Sequence, residues 1–370
     1  MIPNGKTLVL ITIDAEPSAS YENGCFSYCV IGRWPDRLED WYELQIAEPT
    51  KKGYKFKKSF KAGLIQYQGK ERRDGPVLTR DEVAKRISNA TAGLPSIFNL
   101  AGRYGVPCVT FLDVSQLYTY GELYFQEACD IINLSDNDLQ LHFHPSILTS
   151  DWFHQRGLQK PVGGEVQDWA PGALEAVHRI ATDDLTRFSP KRPTAYRAGA
   201  YRISDNLIDA LVKLGFEFDF SYDLLNKRGN VRLDAAKLRG NAPVRYRGLI
   251  EVPITAFAYP SAEKIRRFVP YSNSHSRIKA LDAYRRSGLR VLTYILHSYS
   301  LMGYYDDAST GTPKVGRLGL DARAAENFEA ELSYMRESDE FEFVDVAGLR
   351  AAVEQDPTLL DGPCPFIVVN

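Results

Sequence analysis

The chain of 370 residues is poor in the features that announce most functional classes. No apolar run approaches the roughly 20 residues of a membrane span. The start, Met1 to Lys6, lacks the basic segment, apolar stretch and small-residue cleavage site of a signal peptide, which points to a cytoplasmic protein. Net charge is only −2, so no global field would gather nucleic acid or an anionic membrane. The five cysteines are odd in number and scattered; Cys25 and Cys29 have a CxxxC spacing, but no second pair completes a zinc site. Buried or surface thiols in a reducing compartment are the reading. No GxGxxG follows a strand and no GxxxxGK[ST] is present, so nucleotide binding has no motif support. Histidine is scarce, at six residues.

That scarcity makes His142 and His144 conspicuous. They end the run Asp138-Leu-Gln-Leu-His-Phe-His-Pro145. Residues i and i+2 of a strand share a face, so both imidazoles can converge on one point, and Pro145 favours a strand end there. A metal site, an acid–base pair and two buried structural histidines all fit this local pattern.

The rest of the chain alternates strands and helices. Buried strands are expected over 7–13, 106–113, 138–144, 193–197, 216–221, 250–257 and 289–296, with a last strand–helix pair over 341–354. Thr79-Arg-Asp-Glu82 fits a capping box, and Ser204 caps a second helix. Further helices are expected over 121–132, 171–187, 275–287 and 321–336, and a polar loop over 303–318. Residues 17–77 break the alternation and read as an insertion or lid. Loop 145–170 carries Trp152 and Trp169. Seven or eight βα units suit one barrel over 1–370, closed by C-terminal helices over about 320–370, better than two nucleotide-binding sheets.

In a parallel barrel all strand C-termini face one rim. There the sequence places Asp14, Asp113, His142, His144, Arg197, Asp219 with Asp223, and His297. His154 and His178 are expected at the surface, and His275 at a helix cap or the surface.

The order of these motifs resembles the polysaccharide deacetylases of carbohydrate esterase family four, the NodB-homology family, from about residue 7 to about residue 300. The matching stretches are Thr12-Ile-Asp-Ala-Glu16, Thr110-Phe-Leu112, Leu141-His-Phe-His-Pro145, Tyr196-Arg-Ala-Gly-Ala-Tyr201, Asp219-Phe-Ser221 and Leu296-His297. The resemblance implies a distorted (β/α)7 barrel and metal-assisted removal of an acetyl group from a sugar. It makes Asp14 the general base, His297 the general acid and Arg197 the residue that orients Asp14. His142 and His144 become metal ligands. Beside that resemblance, Tyr201, Asp219 and Asp113 are candidates for substrate contact, with packing, a hydrogen-bond network and turn capping as their respective alternatives.

Two departures bear on the metal. The family's second aspartate is Ala15 here, with Glu16 available as the replacement ligand, and the two histidines are closer together than in the family pattern. Asp14 and Glu16 are i and i+2 and share a face if the strand persists. The expected cofactor is a divalent metal, zinc first. The expected substrate is a carbohydrate or another small acetylated molecule. A metal-independent amidohydrolase of the same fold and a silent glycan-binding relative are the alternatives.

Overall fold

The computed structural model describes residues 5–16, 46–50, 53–56, 78–90, 93–161, 165–224, 233, 238, 240–261, 264–270, 278–306 and 316–360. Cys25, Cys29, Cys364 and His275 lie outside them, as does nearly all of the 17–77 insertion.

Seven parallel strands form the frame. In chain order they are β1 (Thr7–Ala15), β2 (Cys108–Asp113), β3 (Asp138–Phe143), β4 (Ala195–Ala198) and β5 (Phe218–Asp219), then β7 (Leu249–Glu251) and β8 (Val291–His297). A short β6 (Val244–Tyr246) runs antiparallel to β7 at one edge. The spatial order is β8-β1-β2-β3-β4-β5-β7-β6, so consecutive strands are mostly neighbours. The last strand, β9 (Phe341–Phe343), pairs with Thr7–Val9 of β1, whereas β2 pairs with Ile11–Ala15. Among the described residues no ladder joins β7 to β8. The segment after β7 spans that gap: Val252 N–H donates to Asp219 O, and the Thr293 amide of β8 donates to Thr255 Oγ1 at 2.9 Å. The fold is a distorted (β/α)7 barrel.

The strands read as continuous apolar runs because both faces are covered. Every residue of β1 is buried. Helices α1 (Arg80–Ser88), α2 (Gly93–Arg103), α3 (Ser115–Tyr120), α4 (Glu122–Asn133), α5 (Ser150–His154), α6 (Pro171–Phe188) and α7 (Asp205–Lys213) precede β5. Helices α8 (Ile278–Arg286), α9 (Ala322–Glu337) and α10 (Val346–Gln355) complete the set. Thr79 forms the capping box with Glu82, and Ser204 caps α7 through Leu207 N. Among the described residues no helix is long and apolar enough to cross a membrane.

Three expectations need correction. His178 is fully buried on α6, where Nδ1 meets Leu174 O at 2.8 Å and Nε2 meets the Tyr196 hydroxyl at 3.0 Å. Its helical position faces the sheet, and two partners make a buried neutral imidazole tolerable. Burial pushes its pKa down to about 4. The expected strand 250–257 stops at Glu251, since Pro253 cannot donate to a ladder; strand pairing resumes in the hairpin Ala256–Ser261 with Lys264–Pro270. The expected loop 303–318 instead carries the paired strands Met302–Asp306 and Gly316–Leu320. His154 is exposed, as expected.

Candidate active site

Strand register assembles the site. Asp14 on β1 is paired with His297 on β8. Asp113 on β2 is paired with His142 on β3, and His142 with Arg197 on β4. β1 runs through Ala15, so pleat alternation sends Asp14 and Glu16 to the site and Ala15 to the opposite face, where it joins the apolar core. A carboxylate at position 15 would face that core, and Glu16 is the acid the strand delivers to the rim.

Asp14 and Arg197 form its base. Both are buried, and Arg197 Nη1 donates to Asp14 Oδ1 at 2.7 Å. Its other donors are also engaged: Nη2 reaches Thr12 Oγ1 at 2.9 Å and Nε reaches Phe220 O at 3.0 Å. The guanidinium lies over the Phe111 ring, 4.4 Å from its centroid. A buried charge is costly unless its donors are satisfied, and this one is clamped on several sides. The Tyr201 hydroxyl donates to Asp14 Oδ2 at 3.1 Å. Tyr201 and Ala200 both have left-handed backbone, with φ of 54° and 52°, which turns the chain so that the phenol points back to Asp14. Burial raises the Asp14 pKa, but Arg197, His142 and His297 outweigh it and hold the carboxyl below its ordinary value. Asp14 is therefore an ionised base at neutral pH.

Above it sit Glu16, His142 and His144. Glu16 Oε2 lies 3.3 Å from His142 Nε2 and 2.7 Å from His144 Nε2, and the two imidazole nitrogens are 3.1 Å apart. Bonds of about 2.0–2.1 Å to a tetrahedral zinc place ligand atoms about 3.3 Å apart, so this donor set fits a cation after small adjustments. His142 Nδ1 lies 2.8 Å from the Arg197 carbonyl, which can only accept. The Nδ1–H is thus fixed and Nε2 is aimed at the shared point, as in metal-ligating histidines. Burial lowers the His142 pKa, but Asp14 and Glu16 outweigh it and push it up to about 9. The negative charge that holds a proton there would also hold a cation. Glu16 is held well below its ordinary value, its burial outweighed by the two histidines.

His297 closes the site. Its Nε2 is 3.8 Å from Asp14 Oδ2 and 3.7 Å from Glu16 Oε1. The side chain keeps 29% of its surface exposed, enough to meet a substrate. Tyr299 stacks on it at 4.9 Å and directs its hydroxyl at Glu16 Oε1 at 3.4 Å. Ser298 fastens β8 to the end of β1: its amide donates to Asp14 O at 2.9 Å and its hydroxyl to Glu16 O at 2.7 Å.

Asp14, Glu16, His142, His144, Arg197, Tyr201 and His297 are thus brought together. Asp113 is buried on β2 as the register partner of His142, and its Oδ1 accepts from the Ser115 amide at 3.0 Å. Asp219 is fully buried on β5, where it accepts from the Ser221 hydroxyl and faces Glu251 of β7. Burial pushes Asp219 up to about 6 and Glu251 well above its ordinary value. Sequence reasoning missed Tyr299, Ser298, Gly199 and Glu251. A Cβ on Gly199 would lie 2.5 Å from His144 Cγ and Nδ1, so glycine alone leaves room for that ring. The Gly-Ala-Tyr run after Arg197 was the available signal for Gly199, and Leu-His-Ser-Tyr that for Tyr299.

Fold and site together give a (β/α)7 barrel with a buried Asp14–Arg197 pair, a partly exposed His297 and a two-histidine, one-carboxylate cluster at the strand C-termini. No protein-family model matches the sequence, and no curated protein matches it. The structure is similar to two proteins described as polysaccharide deacetylases, from Mycobacterium smegmatis and Pseudomonas aeruginosa PAO1. Each shares 12% identity, covers 96% of this chain and 93% of its own, and has a TM-score of 0.48. It is also similar to Puue allantoinase, at 11% identity, 96% and 92% coverage and a TM-score of 0.47.

Proposed function

We propose that this protein is a divergent member of the polysaccharide deacetylase family, a hydrolase that removes an N-linked acetyl group from a carbohydrate or sugar-containing intermediate. The observation that carries this reading is the convergence of Glu16, His142 and His144 on one point beside the Asp14–Arg197 pair and His297. An acetamide is a poor electrophile and water a poor nucleophile, so the site must supply a base, an acid and charge stabilisation.

Glu16 Oε2, His142 Nε2 and His144 Nε2 are the atoms that would hold a divalent cation. Such an ion would lower the pKa of water and polarise the acyl oxygen. Asp14 takes the proton of the attacking water, its carboxylate kept ionised and in one rotamer by Arg197 and Tyr201. His297, partly exposed and stacked on Tyr299, donates a proton to the departing nitrogen.

The test is acetate release from N-acetylated chitooligosaccharides and acetylated monosaccharides by protein loaded with zinc, cobalt or manganese, with bound metal measured on protein purified without chelator. Metal near one equivalent and acetate release that chelation abolishes are the expected results. Hydrolysis of a small amide that survives metal removal would favour an amidohydrolase of the same fold. Glycan binding without turnover, unchanged in Asp14→Asn, would favour a silent binding protein.

A further inference from the structure

Behind the site lies a pair of acids that the chemistry above does not use. Asp219 on β5 and Glu251 on β7 are register partners on adjacent parallel strands, so their side chains leave the sheet on the same face. Both residues are fully buried. Each has one oxygen with a protein donor: Asp219 Oδ1 accepts from Ser221 Oγ, and Glu251 Oε1 accepts from the Tyr222 amide at 2.9 Å. Among the described residues no donor meets Asp219 Oδ2 or Glu251 Oε2 with ordinary hydrogen-bond geometry, although the Ser221 amide acts on both carboxyls. Two buried carboxylates side by side repel each other, and each orphaned oxygen costs desolvation energy. One proton placed between them removes both costs. We propose that Asp219 and Glu251 share a single proton as a carboxyl–carboxylate pair, and that this pair positions Arg197, and through it Asp14, from behind.

The route to Arg197 is short. Asp219 and Glu251 bracket the segment Phe220–Tyr222 through Ser221 and the Tyr222 amide. Phe220 presents its carbonyl to Arg197 Nε at 3.0 Å, and Ser221 Oγ accepts from the Ala198 amide, next to Arg197, at 2.7 Å. Among the described residues the Tyr196 phenol of β4, register partner of Asp219, shares the face of the pair, and the Arg197 charge acts on it from the other face of the same strand. The Arg197 charge favours one negative charge on the pair, and burial opposes a second. Asp219 and Glu251 act only as positioning residues; the shared proton is read from stability alone, whatever the substrate, whereas the positioning role rests on the activity proposed above and is read against a wild type that releases acetate.

The test is Glu251→Gln, whose amide can donate to Asp219 Oδ2 and keep the pair at one negative charge with no proton to lose. The unfolded chain releases both carboxyl protons by about pH 5, whereas the folded pair keeps one above that pH. The folded state therefore binds the extra proton, and unfolding becomes easier as pH rises, by up to a factor of ten in the unfolding constant per pH unit. Chemical denaturation from pH 5.5 to 7.5 should show that contribution in the wild type and its loss in Glu251→Gln. Acetate release should fall at least tenfold in Glu251→Ala and return to within about threefold of wild type in Glu251→Gln. An unchanged pH dependence in Glu251→Gln would overturn the shared proton. Equal activity in Glu251→Ala and Glu251→Gln would overturn the positioning role. Asp219→Asn provides a second amide exchange for the stability measurement. Failure of both amide variants to fold would also overturn the proposal, since each preserves shape and supplies the missing donor.

Discussion

Replacing Gly199 by alanine tests the candidate metal centre without touching a ligand. The new Cβ would meet His144 Cγ and Nδ1 at 2.5 Å and the Phe143 carbonyl at 2.8 Å, against 3.4 Å for ordinary contact. The His144 ring must give way by about 0.9 Å, and the Gly199 and Phe143 backbones must part by about 0.6 Å as well. Its Nε2 now sits 2.7 Å from Glu16 Oε2, and a shift of that size takes it off the point it shares with His142. Misplacing a positioned group by about 1 Å can cost on the order of 100-fold, and disturbing a ligand's support typically costs 10–100-fold in metal affinity. The expected loss is therefore about 1.4–2.8 kcal/mol of binding. Crowding itself should cost about 1–3 kcal/mol of stability, which leaves a folded protein to measure. Titration calorimetry with zinc, beside a thermal melt, reads both quantities. Gly172→Ala on α6 is the control, since a Cβ there meets nothing within 4 Å. A cooperative melt with zinc affinity within twofold of wild type in Gly199→Ala would refute the assignment of His144 as a ligand.

Other outcomes follow from the same geometry. His297→Ala should cut acetate release by about 10²–10⁴-fold, the range for loss of a general acid, while zinc affinity stays near wild type; a parallel fall in affinity would assign His297 to the metal instead. Arg197→Ala should destabilise the fold by about 3–5 kcal/mol because it leaves Asp14 buried and unpaired, and Arg197→Ala combined with Asp14→Asn should recover part of that loss in urea titrations. His178 has a folded pKa of about 4 against an ordinary 6.5. The unfolded chain therefore takes up a proton that the folded chain refuses, and stability falls as pH drops from about 6.5 towards 4, by about 3 kcal/mol in total. His178→Gln should flatten that acid limb, and an unchanged limb would remove His178 as its cause.

Much of the frame was legible because it follows from local rules. Apolar runs ending in polar residues located the strands, and Thr79 and Ser204 marked helix starts through their own side chains. Asp14, His142, Arg197 and His297 fell at strand ends, and parallel register then brought them to one rim. What stayed hidden depends on contacts between segments distant in sequence. Burial of His178 depends on a phenol 18 residues away. Glu251 looks like an ordinary strand residue until register sets it beside Asp219. Gly199 matters only because the His144 ring occupies the space its side chain would fill.

The Ser298 contacts at the end of β1 carry a consequence for how the site is held together. The Glu16 carbonyl is latched to β8 by the Ser298 hydroxyl, and the Asp14 carbonyl by the Ser298 amide. The two acids are thereby held to the neighbouring strand through their own backbone. On the function proposed above, Ser298 ties the candidate base and a candidate ligand to the strand of the candidate acid, so one backbone junction keeps three roles in step.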